Sequence, residues 1–326
     1  MSAAESAIPA AAGVGMRPLW RRPEFGFAVL AIAGIATPFA GVYPIFVMKA
    51  MCFALFASAF NLLLGYAGLL SFGHAVFLAS AGYAAAHSLK LWGWSPEAGV
   101  LFGTGVSALL GYLIGSLAIR RQGIYFAMIT LALAQMVYFF FLQAKFTGGE
   151  DGLQGVPRGR LFGLLDLSSD LTLYFVILAV TLAGLLFIYR VIHSPFGQVL
   201  KAIRENEPRS LSLGYDADRY KLLAFVISAA LSGAAGSLKV LVVGFETLSD
   251  ATWQMSGEVV LMTLLGGIGT IFGPIVGALV FGGLETYLAQ FGDWVTVTQG
   301  AIFIACVIAF RRGIVGEIGA RLRLVL

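Results

Sequence analysis

The main ionisable side chains within otherwise apolar stretches of the chain are His74, Glu258 and Glu285. Such groups can pass protons, contact a polar solute or form a hydrogen bond to a neighbouring helix. Burying a charge at the centre of a bilayer costs at least ~2.5 kcal/mol, so each side chain should face protein or water rather than lipid. A proton relay from His74 to Glu258 or Glu285 is one chemistry that the sequence allows, and a structural hydrogen bond is the other interpretation of His74.

Other chemistries find little support in the residue types. Cys52 and Cys306 lie in apolar stretches without the Cys or His neighbours of a metal site, so we predict core packing for both and no metal site. The three histidines, His74, His87 and His193, are spread along the chain, which makes a membrane enzyme the weakest hypothesis. The sequence contains no Gly-Lys-Ser or Gly-Lys-Thr run, and hence no recognisable nucleotide loop.

The elements that must position these residues are membrane helices. Of the 326 residues, 59% are hydrophobic and 12% are charged, whereas soluble domains have roughly 25% charged residues. The apolar residues fall into blocks of about 20, the length that a helix needs to cross the hydrocarbon core. We predict an all-α, polytopic helical membrane protein with about ten apolar segments, at 25–43, 45–64, 67–88, 97–118, 123–143, 171–190, 221–243, 254–270, 274–291 and 294–310.

The basic residues predict the orientation, because cytoplasmic loops hold an excess of Lys and Arg. With the N-terminus inside, fifteen of the 21 basic residues fall on the cytoplasmic side, and the even number of spans returns the C-terminus there. The predicted organisation is a cytoplasmic tail (1–24), a transmembrane domain (25–310) and a second cytoplasmic tail (311–326). We expect a retained first span, since cleavage after its small residues would cut an apolar run. Basic residues in loops indicate contact with membrane lipid and no nucleic-acid partner.

A predicted cytoplasmic loop, the coupling segment (residues 191–220), contains two helix signals. Ser194 followed by Pro195 is a favourable helix start. The apolar residues that follow recur at helical spacing: Phe196, Val199, Leu200 and Ile203. A second short helix is predicted to open at Pro208 and to end at Gly214. Such an amphipathic unit either lies passively at the lipid interface or docks on a cytoplasmic partner that moves it.

Two Gly-rich stretches, 65–86 and 266–285, interrupt the apolar pattern. In lipid, small residues let helices approach closely, and irregular backbone is tolerated only where it is buried in protein or lines a wet cavity. Tight packing explains most of these residues, and a passage or hinge is the functional alternative. The candidate pathway or hinge residues are Asn61, Gly65, Gly68, Ser71, Gly73, His74, Tyr125, Thr130, Gly266, Gly267, Gly269, Gly273 and Glu285.

Five blocks in order, between about residues 55 and 313, resemble the LivM-type permease family of branched-chain amino-acid ABC importers. They read NLLLGYAGLLSFGHAVFLASAGYAAA, RQGIYFAMITLALAQM, FTGGEDGLQG, SPFGQVLKAIRENEPRSLSLGYDADRYKLLAFVISAALSGAAGSL and LLGGIGTIFGPIVGALV. The chain departs from the family pattern at two places. Pro208, Arg209 and Ser210 stand where the family typically has an apolar residue and Ala-Ala, and Arg311 stands where the family often has proline.

The resemblance implies a transport subunit that is not an enzyme and that forms half of a translocation pathway for branched-chain or other small hydrophobic amino acids. Its implied partners are a second, LivH-type permease, two ATP-binding subunits and a periplasmic solute-binding protein, at the bacterial inner membrane. ATP would bind to the partner subunits, and no cofactor to this chain. The alternative from the residues alone is a proton-coupled secondary transporter that uses His74 with Glu258 or Glu285.

The resemblance also assigns two sets of site residues. The coupling segment would contact an ATPase subunit through Ser194, Pro195, Phe196, Gly197, Leu200, Arg204, Glu205, Glu207 and Gly214. The long loop (residues 144–170), predicted to lie outside, would meet the solute-binding protein through Thr147, Gly148, Gly149, Asp151 and Gly152. Relatives of the family also carry urea, short amides or aromatic acids, so the identity of the solute stays open.

Overall fold

The computed structural model describes residues 23–41, 43–288, 295–309 and 313–322. The predictions made for 1–22, 42, 289–294, 310–312 and 323–326 therefore lie outside the described residues. They concern most of the N-terminal tail, the adjoining ends of the ninth and tenth apolar segments, and both Arg311 and Arg312.

The described residues form thirteen helices, because a helix satisfies its own backbone hydrogen bonds where water is absent. They are α1 Pro23–Ala36, α2 Pro44–Asn61, α3 His74–Lys90, α4 Pro96–Ala118, α5 Ile124–Gln143, α6 Asp170–His193, α7 Pro195–Glu205, α8 Glu207–Ser212, α9 Ala217–Val243, α10 Trp253–Gly266, α11 Gly273–Leu288, α12 Val295–Ala309 and α13 Gly313–Leu322. Ten of them overlap the ten predicted apolar segments, although α3 starts later and α10 ends earlier, at Gly266, than predicted. The prediction of an all-α membrane protein is confirmed, whereas the number of spans and the orientation of the termini stay predictions.

Five helices in the described part of the chain are long and apolar enough to cross a membrane: Pro44–Ala67, Pro96–Ala118, Ile124–Gln143, Asp170–His193 and Ala217–Val243. The first of these includes a π-helical turn that continues α2 over Leu62–Ala67. By contrast, α3, α10 and α11 have 17, 14 and 16 residues, fewer than the roughly 20 that a straight span needs. These three short helices adjoin the two Gly-rich stretches.

Two helices, α2 and α9, form the centre of the bundle. In the most apolar 18-residue stretch of each span, 83% of the residues are buried in α2 with its π-helical turn and 67% in α9. Only 28% are buried in α4 and in α5. Helices α3 and α4 pack against α9, and α6, α10 and α11 pack against α2. The coupling segment lies at one end of this bundle, the coupling end, and the long loop lies at the other, the long-loop end.

The third predicted segment, 67–88, begins as a helix seven residues later than expected. Gly68 has a left-handed φ of 72°, and residues 68–73 leave the helical path before α3 starts at His74. His74 is therefore the first residue of its helix rather than a residue two turns inside it. The apolar composition of 67–73 concealed this change, since these residues are mostly buried although they are not helical.

Three further details differ from the sequence predictions or add to them. The long loop contains a short antiparallel hairpin, β1 (Arg160–Leu161) with β2 (Leu165–Asp166). The second helix of the coupling segment starts at Glu207 rather than Pro208, because the side chain of Asn206 caps it by accepting a hydrogen bond from the Arg209 N–H. The predicted C-terminal tail contains α13, which packs against α10 and α11.

Small residues permit close contacts between the short helices, as predicted. Gly277 of α11 lies against α10, where an added β-carbon would overlap the carbonyl oxygen of Met262. Gly283 belongs to the same helix, but an added β-carbon there would meet no atom within 4 Å. The two glycines therefore offer a matched test of close helix packing.

We expect Gly277→Ala to lower the melting temperature of the purified protein in detergent, because overpacking a tight contact typically costs about 1–3 kcal/mol. Gly283→Ala should leave the melting temperature unchanged or raise it slightly, since alanine favours helix and meets open space. Equal melting temperatures for the two variants would contradict the close contact of α10 and α11.

Candidate functional site

The coupling segment folds as a helix, turn and helix with one buried and one exposed face. Ser194 caps α7 by accepting a hydrogen bond from the Gly197 N–H over 3.3 Å. Leu200 and Ile203 are buried against the bundle, whereas Glu205 is exposed. Pro208 occupies the first turn of α8, where its missing N–H costs no helical hydrogen bond. The unusual Pro-Arg-Ser sequence is thus compatible with a regular second helix.

The first Gly-rich stretch gives rise to an irregular segment, the first break (residues 62–73). Helix α2 ends at Asn61, the π-helical turn continues to Ala67, and the chain then turns at Gly68. Ser71 is fully buried and its hydroxyl accepts a hydrogen bond from the Gly73 N–H over 3.3 Å. The first break is therefore irregular backbone buried in protein.

The second Gly-rich stretch gives rise to the second break (residues 267–272), which joins α10 to α11. Gly267 and Gly269 both have positive φ, at 123° and 75°. The hydroxyl of Thr270 donates to Gly267 O over 2.8 Å and accepts from the Gly273 N–H over 3.1 Å. Gly266 packs directly against the backbone of Gly273. This turn is consequently held by its own short hydrogen bonds.

The two breaks contact each other, although about 200 residues separate them in sequence. The side-chain amide of Asn61 donates to Thr270 O over 2.8 Å and accepts from the Gly269 N–H over 2.9 Å. Tyr66 donates to Gly269 O over 2.8 Å. A β-carbon at Gly65 would lie 2.8 Å from the Gly269 nitrogen, so only glycine permits this approach. Gly65 of the first stretch and Gly269 of the second therefore belong to one site.

The coupling segment reaches this site directly. The guanidinium of Arg204 donates a hydrogen bond to the carbonyl oxygen of Gly65, and its aliphatic part lies against Gly68. The ammonium of Lys201 lies 5.5 Å from the centre of the Tyr66 ring, within the range of a cation–π interaction. We call this set of contacts between α7 and the two breaks the junction.

Glu207 attaches the coupling segment to two further elements. Its carboxylate forms an ion pair with Lys221 of α9 over 2.6 Å and accepts a hydrogen bond from Gln122 over 2.9 Å. The Lys221 side chain is only 5% exposed, so this pair is shielded from water. A cavity of about 500 Å³ adjoins the junction, lined among others by Gly68, Gln122, Arg204, Glu207, Lys221 and Ile268.

His74 has a packing role in the structure. Its Nε2 lies 2.8 Å from the Ser228 hydroxyl, and that hydroxyl donates to Ala59 O over 2.5 Å. Because the Ser228 proton is directed at Ala59, His74 donates through Nε2. The ring is fully buried and surrounded by Phe56, Phe60, Phe77 and Phe225. The contacts favour the structural interpretation of His74.

The remaining candidate pathway residues are dispersed. Gly73 contacts the backbone of Thr130, where an added β-carbon would lie 2.5 Å from the Thr130 oxygen. Tyr125 is 68% exposed on the first turn of α5 and does not join the junction. Glu285 lies in the last described turn of α11 and forms an ion pair with Lys49 over 3.1 Å. Tyr125 and Glu285 therefore do not lie with the hinge glycines.

The predicted residues of the long loop form a compact turn at the other end of the bundle. The buried Thr147 hydroxyl lies 2.6 Å from both Phe141 O and Ala144 O. Gly148, Gly149 and Gly152 all have positive φ, and Asp151 is exposed. Beyond this turn, Leu153 and Glu246 exchange two backbone hydrogen bonds of 2.9 Å. The long loop is thereby attached to the segment that joins α9 to α10.

Three charged residues at the long-loop end were missed as site candidates. Lys239 is buried in α9 and forms an ion pair with Asp250, and Glu246 is fully buried nearby. The available signal was Lys239, an ionisable residue inside an apolar stretch. Its acidic partners could not be identified from sequence, because they follow the helix in an irregular segment.

Comparison with known proteins identifies the family. Residues 43–309 match the family model described as a permease component of branched-chain amino acid transport systems. The chain is 30% identical to the high-affinity branched-chain amino acid transport system permease protein LivM of Salmonella typhimurium, over 92% of this chain and 76% of that protein. It is 28% identical to LivM of Escherichia coli, over 84% and 70% of the two chains.

A third relative is the permease protein LivH of Salmonella typhimurium, 29% identical over 46% of this chain and 49% of that protein. No solved structure matches the chain at a significant level. The family match covers both breaks, the coupling segment and the long loop. On this evidence the chain belongs to the family of permease components of branched-chain amino acid transport systems.

Proposed function

We propose that this chain is the transmembrane permease subunit of an ATP-driven ABC importer for branched-chain or other small hydrophobic amino acids. It forms half of the translocation pathway at the bacterial inner membrane, and a LivH-type permease forms the other half. Two ATP-binding subunits supply the energy, and a periplasmic solute-binding protein delivers the solute at the long-loop end. ATP binds to the partner subunits rather than to this chain.

The observation that carries this proposal is the contact of Arg204 with Gly65. Because of this contact, a displacement of α7 would move the first break. The hydrogen bonds of Asn61 would then transmit the movement to the second break. The opposite face of the coupling segment is free to receive an ATPase subunit, since Leu211 and Leu213 are 54% and 70% exposed. A movement of the ATPase subunits on binding ATP would thus reach α2, α10 and α11 together.

The proton-coupled alternative is not supported. The relatives are permease components of branched-chain amino acid transport systems. The structure gives His74 a hydrogen bond to Ser228 and a shell of phenylalanines, while Glu285 is paired with Lys49. Packing therefore accounts for His74, and an ion pair accounts for Glu285.

We expect proteoliposomes that contain this chain, a LivH-type permease, two ATPase subunits and a solute-binding protein to accumulate labelled leucine only while ATP is hydrolysed. The purified chain alone should hydrolyse no ATP. A non-hydrolysable ATP analogue is the control, and valine, urea, short amides and aromatic acids test the range of solutes. Uptake that persists with hydrolysis blocked, or that follows a pH gradient, would contradict the proposal.

We expect Arg204→Ala to lower leucine uptake per ATP hydrolysed by about tenfold, because the Gly65 carbonyl loses its charged donor, an interaction that is typically worth about 1.5–3 kcal/mol. The complex should still assemble, since Leu200 and Ile203 keep α7 packed against the bundle. Uptake and ATP hydrolysis are measured on the same proteoliposomes.

Arg219→Ala is the matched control, because it removes the same charge from the coupling segment without touching either break. The Arg219 side chain is 86% exposed and pairs with Asp216 of the same segment, an arrangement that contributes little to stability. Its uptake per ATP should equal that of the parent. An equal loss in both variants would mean that positive charge on the segment, rather than the contact with Gly65, is what matters.

A further inference from the structure

A second polar site lies buried at the long-loop end, far from the junction. It contains Glu246, which follows α9, together with Lys239 of α9 and Asp250. Glu246 is fully buried, and Lys239 and Asp250 are 6% and 8% exposed. Neither the family match nor the contacts of the junction assign a role to these three groups.

The carboxylate of Glu246 lacks a hydrogen-bond partner on either oxygen among the described residues. It points at Gly82 of α3, where an added β-carbon would lie 2.5 Å from the carboxyl carbon. The hydroxyl of the adjacent Tyr83 is also buried, and it too has no partner within the described chain. Gly82 thus leaves room for a carboxylate that the protein itself does not satisfy.

The charges around Glu246 do not balance. Lys239 forms its ion pair with Asp250, so one ammonium faces two carboxylates and Glu246 remains in excess. An uncompensated buried carboxylate is strongly destabilising unless it gains a proton or a cationic partner. The site is therefore built to accept one further positive group.

The long loop is bonded to the backbone of the segment that carries Glu246. Leu153 and Glu246 exchange two backbone hydrogen bonds of 2.9 Å, and Val156 donates to Gly244 O over 2.8 Å. Gly152 packs directly on the carbonyl oxygen of Glu246. These contacts hold the long loop against the backbone of Glu246, and separating them would free that backbone at the end at which the solute is proposed to enter.

We propose that Glu246 receives the ammonium group of the transported amino acid after the long loop opens, with the Lys239–Asp250 pair beside it. This inference rests on the proposed function and adds a recognition group to it. An amino-acid ammonium supplies the missing positive charge and three N–H donors for a carboxylate that has none. A proton would neutralise Glu246 as well, but it would give the site no role in transport.

The test is Glu246→Gln in the reconstituted importer, with labelled leucine as the probe. Glutamine keeps the shape of the side chain and removes the charge. We expect leucine uptake to fall at least about tenfold, because a hydrogen bond between charged groups is lost. ATP hydrolysis stimulated by the loaded solute-binding protein should stay within about twofold of the parent, since receptor docking does not require Glu246.

Asp166→Asn is the matched control at the same end of the protein. Asp166 is exposed in β2 and accepts a turn hydrogen bond from the Ser168 N–H, which asparagine can also accept. Its uptake should equal that of the parent. Glu246→Asp, which keeps the charge on a side chain one methylene shorter, should retain more uptake than Glu246→Gln.

Parent-like leucine uptake by Glu246→Gln would overturn the inference, and Glu246 would then be a protonated structural group. Equal losses in Glu246→Asp and Glu246→Gln, together with a lower yield of assembled complex, would overturn it also, since they indicate a packing defect. Failure of the parent complex to take up leucine with ATP would instead reject the proposed function. The two failures are therefore distinguishable.

Discussion

Backbone that leaves the helical path inside a membrane finds no water to bond to, so its free N–H and C=O groups need partners within the protein. Asn61 meets this requirement for two backbone groups of the second break, because its amide donates to Thr270 O and accepts from the Gly269 N–H. The absence of side chains at Gly65 and Gly269 permits the close approach. The ends of α2, α10 and α11 consequently meet at one point, and the coupling segment contacts that point through Arg204.

One helix connects this junction to the buried charges at the other end. Helix α9 has 27 residues, about 40 Å at 1.5 Å per residue, and it carries Lys221 near its start and Lys239 near its end. Lys221 holds Glu207 of the coupling segment, and Lys239 holds Asp250 beneath the long loop. Since α9 also packs against α2, α3 and α4, a shift at the coupling end would be carried through the centre of the bundle.

Local features were predictable because they depend on neighbours in sequence. Ser194 and Pro195 start α7 as expected, and Gly214 follows α8 with a φ of 90°. The apolar segments were located because each is about as long as a membrane span. The start of α3 was predicted wrongly, because apolar composition indicates burial rather than helix, and Leu69, Ser71 and Gly73 are buried without being helical. The Asn206 cap was not predicted, because Pro208 was taken as the first residue of α8, a position that proline often occupies.

The sequence by itself determined that this is a helical membrane protein, where its helices lie, and which family it resembles. Only the tertiary structure decided that two Gly-rich stretches form one junction, that His74 packs against Ser228, and that the buried Glu246 carboxylate has no hydrogen-bond partner in the described part of the chain. Helix signals act over three or four residues, whereas the contact of Arg204 with Gly65 spans 139 positions. Such contacts depend on how helices pack, and small residues at helical spacing permit many packings.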